Sequence, residues 1–206
     1  MHAILIHGMG RTPLSQLLLA RRLRHHGFAV HLFGYSTFQP FDTCVTRLES
    51  RVRALGAQEP SVLIGHSLGC VLIRAALPAL EPLRPVACFF LAPPSRVAKA
   101  ARFFAKNSLY RFLTRDSGQL LADEAFMGSL AKPVVPVRVY AGIAGCRGRF
   151  SPFKLEDNDG ILAISETPIN AQDDVVRVPA MHTFIMNSVV VFRDIVATTA
   201  SLYVSG

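Results

Sequence analysis

The residues that most clearly suggest chemistry are Gly65-His66-Ser67-Leu68-Gly69, which follow the apolar run 61–64. A serine hydroxyl becomes a nucleophile when a tight strand-to-helix turn exposes it and a base removes its proton. Small neighbours let the two backbones come close, and the start of the helix offers N–H groups to a developing oxyanion. A Gly-x-Ser-x-Gly spacing also arises by chance in ordinary turns, so its value depends on this predicted placement between a strand and a helix.

A serine nucleophile needs a histidine base, which in turn needs an acid to orient it. In sheet enzymes with this turn the chain order is serine, acid, histidine. Of the seven histidines only His182 follows Ser67, in the run PAMHTF between a predicted strand and the last predicted helix. We therefore predict that His182 is the general base. The alternative is a loop or helix-capping histidine.

The acid is expected between the fifth predicted strand and His182. Asp159 is the favoured residue, because Asp159-Gly160 predicts a tight turn that presents a carboxylate, and Asp157 is the second choice. The alternative is that these acids only solvate a loop. The candidates are Glu156, Asp157, Asp159, Glu166, Asp173 and Asp174.

The same acidic run partly matches the spacing of a calcium-binding EF-hand loop. Leu155 would then stand at the first ligand position, where it cannot bind the ion, and the flanking residues do not predict two helices. We reject calcium binding on these grounds. A serine-based mechanism needs no metal and no cofactor, and we predict neither.

The oxyanion of the reaction needs two N–H donors. Leu68, directly after the nucleophile, is predicted to supply one, and Met9 in the loop after the first strand is predicted to supply the other. Gly8 and Gly10 beside Met9 permit close approach of the backbone. The run HGMGR could also suggest a phosphate loop, but it matches neither of the usual glycine patterns for phosphate binding.

Short apolar runs alternate with helical patterns along the chain. Strands that are apolar on both faces and separated by helices are typical of a mostly parallel sheet covered on both sides, with function at the carboxyl ends of the strands. We predict one α/β domain over residues 1–206 with about six strands. The predicted strands are Ala3–Ile6, Phe28–Phe33, Ser61–Gly65, Val86–Leu91, Val137–Ala141 and Val175–Val178; the predicted helices are Pro13–His26 with Thr12 as its cap, 42–55, Leu68–Leu77 and Phe184–Tyr203.

Residues 95–130 interrupt this alternation and are predicted to form a small helical, cap-like insertion. On a helix, Arg96, Lys99, Arg102 and Lys106 share one side, and the apolar residues around Phe104 share the other. The pattern fits a core helix with a solvated basic face. It also fits a lid whose basic and aromatic face meets a lipid or an anionic substrate.

The composition limits the classes of protein. With 206 residues, 50% hydrophobic and 17% charged, the chain can bury a large core and is too apolar for a disordered protein. The net charge is +8. It predicts a solvated basic surface or peripheral contact with an anionic membrane, and the absence of a nucleic-acid motif argues against nucleic-acid binding. Four cysteines without metal spacing, and no signal-like N-terminus, predict buried free thiols and a cytoplasmic protein.

Four segments resemble one family when taken in order: AILIHGMGR, GHSLG, DNDGILAISET and AMHTF. They are similar to those of α/β-hydrolase lipases and esterases, and most closely to small bacterial triacylglycerol-lipase-like hydrolases. The resemblance covers residues 3–184 and implies the α/β-hydrolase fold, a triad of Ser67, Asp159 and His182, and oxyanion donors at Met9 and Leu68. This chain carries Cys70 where such enzymes usually have a glycine.

The sequence thus predicts a serine hydrolase that cleaves small-molecule or lipid esters through an acyl-enzyme. A thioesterase or amidase would use the same triad, because the leaving group is selected by pocket shape. A catalytically silent member of the fold that binds a lipid or a protein is the alternative from another class.

Overall fold

A computed structural model of the chain describes residues 1–56, 60–81, 83–95, 118–170 and 174–204. Six strands form one sheet in the order β2-β1-β3-β4-β5-β6, and every neighbouring pair is parallel. The strands are β1 (His2–Ile6), β2 (Ala29–Phe33), β3 (Ser61–His66), β4 (Ala87–Leu91), β5 (Val137–Gly142) and β6 (Val175–Val178). The predicted six-stranded α/β fold is confirmed, and among the described strands the sheet is entirely parallel.

Both faces of the sheet are buried, which explains why the strands are continuously apolar. Alternate residues of β1 enter opposite cores: Ile4 and Ile6 pack on one face, and Ala3 and Leu5 pack on the other. All residues of β3 are buried. The sheet therefore holds the end of β3, where the serine turn begins, between two packed layers.

Helices cover both faces. Within the described ranges they are α1 (Leu17–His25), α2 (Phe41–Arg53), α3 (Leu68–Ala76), α4 (Glu124–Ser129) and α5 (Val189–Val204). Buried residues of α2 and α3 join the core that contains Ile4, and buried residues of α1 and α5 join the core that contains Leu5. In the part of the chain that the structure describes, no helix combines the length and hydropathy needed to cross a membrane.

Two helices that the sequence predicts as continuous are divided. Pro13–Gln16 is a 3-10 helix that precedes α1, and Thr12 stands at its cap position without a side-chain capping bond. His182–Asn187 is also a 3-10 helix, separated from α5 by Ser188. Ser188 has extended backbone, and its Oγ accepts the N–H of Val190 at 3.2 Å. The break at Ser188 lets His182 lie in a turn above the sheet instead of on a long helix.

The predicted insertion lies partly within the described residues. The basic and apolar pattern at 96–117 lies outside them. Beyond it, Asp123 caps α4 by accepting the N–H groups of Ala125 and Phe126. Leu121, Met127 and Leu130 are buried in the same core as α2 and α3, so residues 121–130 pack as part of the main body.

Gly69 is the point where α3 meets the end of β1. A Cβ at this position would overlap the Ile6 carbonyl oxygen and lie 2.8 Å from the His7 carbonyl oxygen. We expect Gly69→Ala to lower the free energy of unfolding by about 3 kcal/mol, measured by urea denaturation, because backbone would have to move.

Gly128 provides the matched control for this prediction. It lies in α4, and a Cβ there would meet nothing within 4 Å. Gly128→Ala is expected to leave stability unchanged or raise it by up to about 1 kcal/mol, since alanine restricts the unfolded chain. Equal stabilities of the two variants would show that α3 is not packed against β1 as described.

Candidate active site

The serine stands alone between β3 and α3. Its backbone angles are φ 51° and ψ −117°, a region that is strained for any residue other than glycine. The Ser67 N–H donates to the Leu91 carbonyl at 2.9 Å, which anchors the turn to β4. Although Ser67 occupies the N-cap position of α3, its side chain makes no capping bond. The hydroxyl is thus available for another partner, and Ser67 is partly exposed in a turn that is otherwise buried.

Close backbone contacts explain why the residues around the serine are small. A Cβ at Gly65 would lie 2.8 Å from the backbone nitrogen of Cys70, so only glycine fits at the end of β3. Cys70 itself fits because its thiol turns inward, with Sγ 3.2 Å from the Gly65 carbonyl oxygen. Burial raises the pKa of the Cys70 thiol well above its usual value. Cys70 is therefore a protonated packing group and no rival nucleophile.

The four cysteines are all free, as the sequence predicts, but they are not all buried. Cys44, Cys70 and Cys88 are buried, whereas Cys146 is exposed in the loop after β5. The Cys146 carbonyl accepts hydrogen bonds from the side chains of Ser151 and Asn158, so the loop holds the backbone of Cys146 in place. The thiol itself lies at the surface.

Asp159 and His182 are hydrogen-bonded to each other and buried. His182 Nδ1 lies 2.7 Å from Asp159 Oδ2, and the His182 N–H donates to the Asp159 carbonyl at 2.9 Å. The other carboxylate oxygen, Oδ1, accepts the N–H groups of Ile161 and Leu162 at 2.9 and 2.7 Å. These bonds fix the carboxylate so that His182 donates from Nδ1, which leaves Nε2 as a proton acceptor.

Gly142, the last residue of β5, makes room for this pair. A Cβ there would lie 2.5 Å from the Ala180 carbonyl oxygen and 2.7 Å from the Cβ of Asp159. The loops after β5 and β6 therefore cross directly over Gly142. This crossing brings the turn that carries Asp159 next to the turn that carries His182.

His66 connects His182 to the serine turn. Its Nε2 donates to the His182 carbonyl at 3.0 Å, and the two imidazole rings lie 5.0 Å apart between centroids. No hydrogen bond joins Ser67 Oγ to His182 within the described part of the chain. In enzymes without substrate this bond is often long and forms on substrate binding. The structure thus brings His182 beside the turn that carries Ser67, and within the described residues its Nε2 has no hydrogen-bond partner.

The other acids predicted as candidates have different partners. Asp157 forms ion pairs with Arg147 and Arg177, at 2.5 and 3.3 Å. Glu166 is buried and accepts the Ala163 N–H, and Asp174 pairs with Arg138. Glu156 accepts the N–H of Ser165 at 3.1 Å, and Asp173 lies outside the described residues. Of the candidates that can be described, Asp159 is the one with a hydrogen bond to His182.

The loop after β1 is held by side chains on three successive carbonyls. Gln16 Nε2 donates to the Ile6 carbonyl at 3.0 Å, Tyr35 Oη donates to the His7 carbonyl at 2.8 Å, and His7 Nδ1 donates to the Gly8 carbonyl at 2.9 Å. Burial lowers the pKa of His7, so its ring is neutral. With their oxygens fixed, these peptide groups have little freedom to rotate, which is the condition for a preformed oxyanion site.

The two predicted oxyanion donors are the N–H groups of Met9, in the loop after β1, and of Leu68, at the start of α3. Within the described residues, nothing accepts a hydrogen bond from the Met9 N–H. Leu68 is the first residue of α3, so its N–H has no partner inside the helix. The Arg11 N–H closes a turn onto the Gly8 carbonyl at 3.2 Å, with Gly10 at φ 66°. Both N–H groups remain free to bind an anionic oxygen.

The first loop also touches the serine turn directly. A Cβ at Gly8 would lie 2.7 Å from His66 Nδ1 and 3.2 Å from the Cβ of Ser67. His66 Nδ1 is buried without a hydrogen-bond partner, and burial, reinforced by His182, lowers the pKa of His66 well below its usual value. His66 is therefore neutral. No group of three or more His, Cys, Asp or Glu side chains is placed to hold a metal ion in the ranges that the structure describes.

Sequence reasoning missed three residues of this site: Gln16, Tyr35 and His66. His66 lies inside the Gly-x-Ser-x-Gly run, and its position beside Ser67, the predicted nucleophile, was a usable signal. Gln16 and Tyr35 gave no local signal, because each acts through a contact with β1 that exists only in the folded chain.

Comparisons with known proteins identify the family and the fold of the chain. A family model described as "Alpha/beta hydrolase family" matches residues 3–190. No curated protein matches the sequence significantly.

Similar solved structures include the mature form of the Bacillus licheniformis lipase BlEst2, at 14% identity and a TM-score of 0.75, with 97% of this chain and 91% of that one covered. A monoacylglycerol lipase from Paleococcus ferrophilus has 16% identity, a TM-score of 0.65, and coverage of 98% and 94%. A metagenomic carboxyl esterase, MGS0156, has 16% identity, a TM-score of 0.68, and coverage of 100% and 75%. At these identities the structural likeness establishes the fold.

Proposed function

Because the chain belongs to the alpha/beta hydrolase family, we propose that it is a serine hydrolase that cleaves carboxylic esters of small molecules or lipids. The observation that carries the proposal is the buried hydrogen bond between Asp159 and His182 beside the strained turn of Ser67. Such a bond prepares a histidine to accept a proton from a serine. Two lipases and an esterase among the similar structures support the choice of esters.

The proposed reaction proceeds through an acyl-enzyme. Ser67 Oγ attacks the acyl carbon while His182 Nε2 accepts its proton, and Asp159 stabilises the imidazolium that forms. The N–H groups of Met9 and Leu68 bind the oxyanion of the tetrahedral intermediate. His182 then gives the proton to the leaving alcohol. A water molecule, deprotonated by His182, releases the acid and regenerates Ser67.

A p-nitrophenyl ester series from acetate to palmitate tests the proposal. We expect hydrolysis of at least part of the series, with the chain-length optimum separating an esterase from a lipase. A fluorophosphonate, which reacts with activated serines, should stop turnover and label Ser67 alone when peptides are mapped by mass spectrometry.

The two readouts also separate the alternatives. Labelling of Ser67 without turnover of any ester would direct the search to thioesters or amides, which the same triad can cleave. If Ser67 were not labelled and no ester were hydrolysed, a catalytic function would be contradicted. That result would favour a catalytically silent member of the fold that binds a lipid or a protein.

His66 supplies a further test of the arrangement, since it contacts the His182 carbonyl rather than the reacting atoms. His66→Leu removes this hydrogen bond and leaves a buried carbonyl without its donor, which we expect to lower kcat about tenfold or more. His66→Gln places an amide donor near the position of Nε2, so kcat should stay within about threefold of the wild-type value. Equal losses in both variants, measured with p-nitrophenyl acetate at matched unfolding midpoints, would contradict this positioning role.

A further inference from the structure

The exposed large apolar side chains are concentrated on one side of the described structure. All of them except Val134 lie between the carboxyl end of a strand and the first turn of the helix that follows. They are Leu14, Leu17 and Leu18 after β1, Phe38 after β2, Phe150, Leu155 and Ile161 after β5, and Met181, Phe184, Val189 and Val190 after β6. We use the term carboxyl edge for the surface formed by these segments together with the turn after β3. Ser67 lies in that turn, and Asp159 and His182 lie in the segments after β5 and β6.

The apolar side chains flank the candidate nucleophile on both sides. In the sheet order, β1 lies beside β3, which ends at Ser67, and β5 lies two strands away in the other direction. Leu14 after β1 is 68% exposed, and Phe150 after β5 is 97% exposed. Soluble proteins rarely expose many large apolar groups on one side without a binding role.

The segment after β1 presents a stripe that changes from apolar to basic. Leu17 and Leu18 each lie three or four residues from Leu14 on one side and from Arg21 on the other, and all four side chains are exposed. A groove lined by Leu17, Leu18, Arg21, Arg24 and His25 follows the same face of α1. The leucines stand nearest the end of β1, and the arginines lie farther along α1. This is the order in which apolar and basic groups meet a membrane surface, with leucines inserted and arginines at the headgroups.

The charges on this side favour an anionic partner. Residues 1–41 contain no Asp or Glu, and Arg11 and Arg21 are exposed there. In the loop after β5, Arg149 and Lys154 are exposed. The acids of this loop have partners within the protein. Asp157 pairs with two arginines, Asp159 bonds to His182, and Glu156 and Glu166 accept backbone N–H groups. In the segments after β1 and β5, the carboxyl edge therefore combines exposed apolar groups with exposed basic side chains, whereas the segment after β2 carries the exposed acid Asp42.

We propose that the carboxyl edge docks on an anionic lipid surface, with Leu14 and Phe150 entering the apolar boundary and Arg21 and Arg149 contacting lipid headgroups. This inference rests on the proposed function in one respect only, which is that the docked face is the one that carries Ser67. A lipid ester would then reach the candidate site from the membrane instead of from bulk water. Each basic residue near an anionic surface adds attraction that salt screens.

Co-sedimentation of the full chain with vesicles tests this inference without any turnover. Vesicles with phosphatidylglycerol and phosphatidylcholine in a ratio of about 3:7 should bind the protein at least about tenfold more tightly than pure phosphatidylcholine, and 0.5 M NaCl should weaken the binding. Leu14→Ser with Phe150→Ser, or Arg21→Glu with Arg149→Glu, should each lower the affinity about tenfold. Ser67→Ala should bind like the wild type, so failure of docking and failure of catalysis are separable.

The opposite side of the molecule offers matched controls. Val134 is 74% exposed and Lys132 is also exposed, and both precede β5. Val134→Ser and Lys132→Glu are expected to bind vesicles as tightly as the wild type. Equal binding to neutral vesicles, no binding to either kind, or equal losses in the control variants would overturn the proposal. If the protein bound no vesicles, the exposed apolar surface would instead be assigned to contact with a protein partner.

Discussion

Replacing Ser67 with alanine is expected to lower the turnover of a p-nitrophenyl ester by at least about 10⁴-fold. In the proposed mechanism Ser67 Oγ is the protein atom that forms a covalent bond with the substrate. Without it, the remaining groups give only residual catalysis. The Ser67 side chain makes no capping bond in the structure, so its removal breaks no contact that stabilises the turn. The unfolding midpoint in urea should therefore remain close to the wild-type value while activity disappears.

Ser129→Ala is the matched control for this substitution. Ser129 ends α4, where its Oγ donates to the Phe126 carbonyl at 2.8 Å. Its replacement is expected to leave kcat within about twofold of the wild-type value, since surface changes of this kind have small effects. Full ester hydrolysis by purified, folded Ser67→Ala would exclude the proposed nucleophile.

Replacing Asp159 with asparagine is expected to lower kcat by about 10⁴-fold with the fold intact. Asparagine can still accept the N–H groups of Ile161 and Leu162, so its oxygen stays where Oδ1 lies now. Its NH₂ group then points at His182 Nδ1, where the carboxylate accepts at 2.7 Å. The histidine must accept a hydrogen bond at Nδ1 and carry its proton on Nε2, and that tautomer cannot take the proton of Ser67.

Asp157→Asn separates this effect from a general loss of negative charge in the loop. Asp157 was the second choice for the acid from the sequence, but its ion pairs with Arg147 and Arg177 lie at the surface. Surface pairs contribute little to stability, so kcat is expected to change by less than about threefold. If Asp157→Asn caused the large loss and Asp159→Asn did not, the acid of the proposed triad would have to be reassigned.

The sequence predicted the sheet well because its signal is local. Both faces of each strand are buried, so each strand appears as an apolar run bounded by turn residues, and β6 has the predicted bounds of Val175–Val178. Helix continuity was less predictable. The run Phe184–Tyr203 is apolar enough for one helix, and the interruption depends on Ser188 taking extended backbone and accepting the Val190 N–H. A serine inside an apolar run signals such a break only weakly.

The candidate site was predictable to the extent that chain order constrains it. His182 is the one histidine after Ser67, so its choice followed from the sequence. The choice of Asp159 over Asp157 rested on turn chemistry, and Gly142 shows the physical basis: the bare backbone of that glycine admits the Asp159 turn against the Ala180 carbonyl. The network on β1 could not be predicted, because Tyr35 reaches His7 from 28 residues away.

The contact between Gly69 and the carbonyls of Ile6 and His7 has a consequence for how this scaffold can diversify. The start of α3 and the end of β1 rest on each other without an intervening side chain, so neither can shift without displacing the other. A substitution in either segment that was meant to change the substrate would disturb the proposed nucleophile and the proposed oxyanion donors together. New substrate preferences would arise more readily in the loops after β2 and β5, where exposed residues such as Phe38 and Phe150 can change with little effect on the sheet below.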